Sequence, residues 1–361
     1  MNIAAAANEN MAQLSNYLVY SALAVYTLAF LAHIAEWAFG SRSRIAKQSA
    51  ALTAQEQEAK ASAAAPAVTV RAAGGTATLE RPKVVTRNRG RDVADGLGAA
   101  GEDEKGELLG RIAISLTTLA FLIHLAGVVT RGLSVERAPW ANMYEFSTTF
   151  SMVAVGVYLG LLAAGKKVRW IGLFLITTVL LDLGLALTVL YTESDQLVPA
   201  LQSPWLIVHV ACAIICGASF YVGAVSSLAY LVRDSYESRL EAGRTMRLST
   251  VWRRLPSAAT LDKLAYRVNA IVFPLWTFTI IAGAIWAEAA WGRYWGWDPK
   301  ETWSFITWVV YAAYLHARAT AGWKGRKAAY LALIAFACWI FNYYGVNMFV
   351  TGSLHSYAGV E

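Results

Sequence analysis

Apolar residues gather along this chain in eight runs, at roughly 15 to 39, 108 to 130, 145 to 164, 170 to 191, 204 to 232, 267 to 286, 302 to 318 and 328 to 350. Most are close to the ~20 residues that cross a hydrocarbon core of roughly 30 Å as a helix, and they carry very little charge. The pattern predicts an all-α, polytopic membrane bundle of about eight transmembrane helices. The polar segments between the runs then alternate between the two sides of a membrane. Residues 40 to 111, 165 to 169, 233 to 267 and 318 to 327 fall on one side and carry 27 of the 31 Lys and Arg. The other side holds only Arg131, Arg137, Arg293 and Lys300. Positive loops stay in the cytoplasm, so both termini are expected outside.

Three regions follow. Residues 1–39 are expected to form an N-terminal anchor helix: no Lys or Arg precedes its apolar run, whereas Arg42, Arg44 and Lys47 follow it, the reverse of a cleaved signal peptide. Residues 40–107 are expected to be a disordered, basic cytoplasmic linker. The stretch 48–80 is rich in Ala with scattered Thr, Gln and Glu, and basic residues from Arg81 to Arg91 follow it, a composition that cannot build a core. Residues 108–361 form the membrane core.

Composition narrows the chemistry. Of 361 residues, 57% are hydrophobic and 15% charged, against about 25% charged in soluble chains. The net charge of +7 is a topology signal and not a nucleic-acid footprint, because the basic residues are spread over separate loops of one side. The three cysteines, Cys212, Cys216 and Cys338, lie inside apolar runs with neither C-x-x-C nor C-x-x-C-H spacing. No dithiol chemistry and no covalent haem site are expected in this chain.

The outer loop between the sixth and seventh runs is unusual. From Trp286 to Trp303 it places five tryptophans and one tyrosine in 18 residues. Interfacial belts enrich Trp and Tyr but scatter them singly. Here Trp291, Trp295 and Trp297 alternate with Gly292 and Gly296, which lets the backbone approach a flat ligand. A planar-ligand platform and a plain belt are both compatible with this composition. Asp298 and Pro299 read as the N-cap and first position of the next helix, with Glu301 in its first turn.

Depth sorts the five histidines. His209 is five residues past Pro204, about 7 Å below the outer surface. His355 follows the last run by five residues, with Gly352 between. Both reach the level of the tryptophan loop, where two neutral imidazoles suit the axial positions of a haem iron. His316 is 13 residues beyond Trp303, about 20 Å deeper, at the cytoplasmic level that only His33 shares. His124 lies in the outer half of the second run. Ionisable groups at membrane depth are functional candidates by default, and Glu145 and Asp182 belong with them.

The stretch from Trp291 to His316 resembles the tryptophan-rich WWD signature of haem-handling proteins and is most similar to the CcsA/ResC type of the system II cytochrome c synthase. Ala138–Glu145, Ser203–His209, Asn342–Asn347 and Gly352–Tyr357 agree with it, so the similarity covers roughly 108 to 361, with the WWD loop at about 287–303. The resemblance implies that His209 and His355 hold the iron of haem b at the outer loop and that His316 holds it at an inner site. It also implies a CcsB/ResB-type partner that supplies the second inner ligand, which disfavours His33. Haem would cross the bacterial plasma membrane and be presented outside to the C-x-x-C-H segment of apocytochrome c for thioether attachment, its thiols kept reduced by a thioredoxin-like protein. Trp291, Trp295, Trp297 and Asp298 are the expected catalytic group, acting by positioning; Trp303 and Arg293 join them in binding, with Arg293 and Lys300 as propionate partners. Rival readings are a haem exporter or chaperone without ligation activity, a membrane cytochrome b for electron transfer, and a transporter of unrelated substrate.

Overall fold

The structure, a computed structural model, describes residues 8–39, 95–101, 104–196, 202–244, 246 and 248–355. Among these residues it is built from helices without strands. They are α1 (Glu9–Phe39), α2 (Glu104–Ser134), α3 (Met143–Ala163), α4 (Gly172–Thr188, entered through a 3-10 turn, Arg169–Ile171), α5 (Pro204–Glu241), the short α6 (Ser249–Trp252), α7 (Ala258–Trp291), α8 (Pro299–Ala319) and α9 (Arg326–Ile340). A π-helical turn, Phe341–Gly345, carries α9 into α10 (Val346–Phe349).

Seven of these elements are long and apolar enough to cross a membrane: α1, α2, α3, Arg169–Thr188, α5, α7 and Arg326–Phe349. The eighth expected span is α8. At 21 residues it is about 31 Å long, but Trp303, Trp308, Tyr311 and Tyr314 along it, Lys300 and Glu301 at its start and His316 and Arg318 at its end hold its hydropathy down. It packs between α7 and α9.

Helices α1 and α2 form one close pair and α5 and α7 another, with α3 and α4 between them. Ala22, Ala29, Ala113 and Ala120 are fully buried, small residues that let membrane helices approach closely. One core gathers around Tyr26, Val155, Ile176 and Leu183, and a second, more aromatic, around Phe220, Trp276, Tyr311 and Trp339.

The two ends of the bundle differ. At one, the Asn8 amide donates to the Ser134 carbonyl at 2.8 Å, Ser134 and Ser194 share a hydroxyl bond, and Arg137 donates to the Asp195 carbonyl. Glu145 is buried there between Arg131 at 3.0 Å and Arg137 at 2.7 Å. At the other end, Arg169 joins Glu36 at 2.6 Å to Glu107 at 2.8 Å, and Arg318 pairs with Asp262 and Arg326 with Asp234. These groupings follow the alternation of loops expected from the apolar runs.

Of the expected linker, residues 40–94, 102 and 103 lie outside the described residues. Residues 95–101 and 104–107 are folded, which corrects the boundary at 107. Asp95 accepts from the Ser257 amide and hydroxyl, both at 2.8 Å, and the Gly96 and Gly98 amides donate to the Leu255 and Arg254 carbonyls. Ala99 and Ala100 are buried, Arg254 donates to the carbonyls of Ala99 and Trp37, and α2 already begins at Glu104. The segment docks through backbone hydrogen bonds and small side chains, so it needs none of the large apolar residues whose scarcity suggested disorder.

Candidate functional site

At the end where Glu145 lies between Arg131 and Arg137, a cleft opens between the start of α5, the end of α7, the start of α8 and the π-helical turn. It has about 1220 Å³ of space, counting the part continuous with solvent. His209 and His355 both line it, together with Trp140, Trp286, Trp291, Trp295, Lys300 and Tyr343.

Each histidine is set by local structure. Ser203 caps α5, its hydroxyl accepting from the Trp205 amide at 3.3 Å, and Pro204 takes the first position; both choices suit an N-terminus. His209 then falls one turn inside, against α7. A Cβ at position 283 would stand 2.8 Å from its Cε1 and Nδ1, so only glycine there lets the ring lie on the helix. His209 Nδ1 sits 2.8 Å from the Thr279 carbonyl. A carbonyl can only accept, which makes Nδ1 the protonated nitrogen.

His355 lies on a tail held by one carboxylate. Asp298 caps α8 as expected: it accepts from the Lys300 amide at 3.1 Å, while Glu301 accepts from the Asp298 amide at 3.1 Å and the Gly296 amide at 2.8 Å. The same Asp298 accepts from the Ser353 hydroxyl at 2.9 Å, the Leu354 amide at 2.7 Å and His355 Nδ1 at 2.8 Å. Burial works against the Asp298 charge, but the bonds from His355 and Leu354 outweigh it and hold the carboxyl at about 2. Burial also keeps His355 below the usual imidazole range despite the carboxylate beside it. Both histidines therefore commit Nδ1 to an oxygen, and Nε2 is the nitrogen each would offer an iron. Metal-binding imidazoles are fixed in this way, by a carbonyl or carboxylate on the far nitrogen.

Trp286 connects the pair. It stacks on His209 with centroids 6.3 Å apart and a 12° interplanar angle, and lies 5.8 Å from His355. Trp291 meets Trp286 at 4.8 Å and His355 at 5.0 Å. Lys300 reaches into the cleft, donating to the Asn342 carbonyl at 3.0 Å. Trp276 Nε1 and Asn342 Oδ1 line this space without a hydrogen-bond partner among the described residues. Unpartnered polar atoms among aromatic walls fit a flat ligand with a polar rim.

Other expected site residues lie elsewhere. Trp297 is 66% exposed, with a left-handed φ of 58°, and packs on Trp295 and Phe305 rather than lining the cleft. Trp303 packs on Phe341 at 4.3 Å. Arg293 lies over Trp291 and 3.5 Å from Glu301, outside the cleft lining. Gly292 ends α7 in a left-handed conformation, φ 69°, so its service is to the turn. His316 is exposed near the far end of α8. His33 is buried, with Nδ1 at Glu36 and Nε2 at Thr117. His124 is buried edge-on to Tyr26. The residues that sequence reasoning missed are Thr279 and Gly283, for which a glycine inside a long apolar run was the available signal, and the tie between Asp298 and His355, for which there was none.

The family profile described as cytochrome C assembly protein matches residues 140–354. It starts at the first tryptophan of the cleft and ends beside His355. The chain belongs to this family. Among its relatives are proteins named cytochrome c biogenesis protein CcsA: one from Gloeobacter violaceus, 36% identical over 65% of this chain and 83% of that protein; one from Guillardia theta, 36% identical over 68% and 85%; and one from Synechococcus elongatus, 34% identical over 66% and 85%. Within the family this chain is a CcsA-type, multi-pass membrane protein.

Proposed function

We propose that the chain works in cytochrome c biogenesis as the haem-handling subunit of a haem lyase, with the cleft on the extracytoplasmic face of the plasma membrane and both termini on that side. The observation that carries this reading is that two imidazoles, from α5 and from the C-terminal tail, share one indole-walled cleft with Nδ1 of each already bound to an oxygen. Haem b is the substrate. His209 and His355 would hold its iron through Nε2, Trp291 and Trp295 would stack on it, and Lys300 would meet a propionate. Asp298 would act by orienting His355, while Trp297, Trp303 and Arg293 support the loop from outside. The exposure of His316 on α8 favours an inner site completed by a CcsB/ResB-type partner; His33, with both nitrogens engaged, is disfavoured for that place.

The chemistry asked of the site is modest. Each substrate thiol adds across a vinyl group: a carbon–sulfur bond forms, the hydrogen goes to the neighbouring carbon, and no electron is transferred. The protein supplies orientation and excludes water, which is where positioning lowers a barrier. A thioredoxin-like reductant would keep the thiols of apocytochrome c available.

The test is reconstitution in vesicles with a CcsB/ResB-type partner, ferrous haem and reduced apocytochrome c, reading covalent haem by mass. Thioether product that depends on this chain is expected. Haem that binds and leaves without any thioether product would reduce the role to export or chaperoning.

A further inference from the structure

Away from the histidines, α3, α4 and the π-helical turn meet around a carboxyl that the chemistry above does not use. Asp182 of α4 is 5% exposed. One of its oxygens accepts from the Ser151 hydroxyl at 2.5 Å and the other from the Tyr344 hydroxyl. Ser147 of α3 lies beside this pair. No cationic side chain is among its partners within the described residues. Ser147 donates to the Tyr343 hydroxyl at 2.8 Å, which in turn donates to the Met143 carbonyl at 3.1 Å, and Tyr343 forms part of the cleft wall.

An ionised carboxyl at membrane depth without a cation is costly. An amide would tie the same helices together without that cost. The turn that brings Tyr343 and Tyr344 to this cluster is a π-helical one, a wide geometry frequent at functional sites. Other ionisable groups nearby are engaged elsewhere. Glu145 of α3 is held by Arg131 and Arg137, Lys300 of α8 by the Asn342 carbonyl, and Tyr221 of α5 by Thr178. Between Glu9 and His33, α1 offers only tyrosines.

We propose that Asp182 is a proton-holding site connected to the cleft through Ser147 and Tyr343. This rests on the haem reading. Were ferric iron held in the cleft to be reduced by one electron from a low-potential reductant such as dithionite, the Asp182 carboxylate would take one proton from the outer solution, so that the charge of the buried region is unchanged. Reoxidation returns the proton by the same hydroxyls.

Two measurements on the full-length protein in membranes test this, one of them free of haem. By infrared spectroscopy, the carboxylic carbonyl band is expected to vanish in Asp182→Asn. Its shift on transfer to D2O is expected to slow about tenfold in Ser147→Ala and Tyr343→Phe. In the haem-loaded complex with its partner, titrated with dithionite, the outer haem's midpoint potential is expected to fall as pH rises, by roughly 59 mV per tenfold change in proton concentration at full coupling. Asp182→Asn should remove that slope and keep the low-spin spectrum. A slope unchanged in Asp182→Asn, or exchange as fast in the two hydroxyl variants as in the wild type, would overturn the proposal. Should Asp182→Asn not accumulate, the exchange rate in Ser147→Ala decides. Should the cleft bind no haem, the haem reading fails, and the infrared measurement still decides whether the proton site exists.

Discussion

The two ends of the bundle each set a histidine beside a carboxylate, and only one end places that histidine on the wall of a cleft. At the aromatic end, His355 gives Nδ1 to Asp298 and His209 gives Nδ1 to a carbonyl, and both rings line open space. At the basic end, His33 spends one nitrogen on Glu36 and the other on Thr117, inside a pairing that Arg169 extends to Glu107. A histidine and an acid in contact are therefore no signature of a site by themselves. What separates the two is the setting: His33 is enclosed between Glu36 and Thr117, whereas His355 lines an aromatic-walled cleft.

Substitutions at the two ends should fail in different ways. The largest effects are expected in stability. Trp286→Ala should cost about 3–5 kcal/mol and also remove the outer haem signal, because this ring packs on both His209 and His355. Glu36→Ala removes the buried carboxylate shared by His33 and Arg169, leaving Arg169 with Glu107, and should cost about 1–3 kcal/mol, seen as a lower midpoint of unfolding in detergent, while the outer haem spectrum of the remaining folded protein stays as in the wild type. Retention of that signal in Trp286→Ala would break the link between the indole wall and the ligands.

Next comes Asp298→Asn. It keeps a helix cap but weakens the bond to His355, and loss of such an oxygen partner typically lowers metal affinity 10–100-fold; haem titration of the purified complex measures it. Gly283→Ala should push the His209 ring off α7 and cost about 1–3 kcal/mol, with a weakened low-spin band. The smallest effect is expected at Trp297→Ala, within about 0.5 kcal/mol in stability, since that ring stands outside the cleft. A large loss of haem on that substitution would mean that the loop closes further around its ligand than the geometry here requires.

Much of this contrast was legible in the sequence, and its limits have physical causes. The helix positions and the grouping of the loops at two ends followed from run length, because a bilayer sets how long a span must be. The convergence of His209 and His355 followed from depth, since a helix converts residue count into distance. Depth carries no information about rotation, however, so Trp297 and Trp303 were grouped with Trp291 and Trp295 although only the latter pair faces the cleft. The tie from Asp298 to His355 joins residues 57 apart in sequence through a tail with no periodicity of its own. Asp182 was visible as an acid at membrane depth, but its partners Ser151 and Tyr344 come from two other elements. Residues 95–101 were misjudged because backbone bonds and alanines hold them, and neither leaves a hydrophobic pattern.

The central claim is that His209 and His355 are the two axial ligands of one haem. It is tested most directly by the absorption spectrum of the haem-loaded complex in His209→Gly and in His355→Gly, with and without added imidazole. Each glycine variant should lose the low-spin bands of the outer haem and regain them, at least in part, when imidazole fills the vacated position. Wild-type spectra in either variant without imidazole would contradict the assignment.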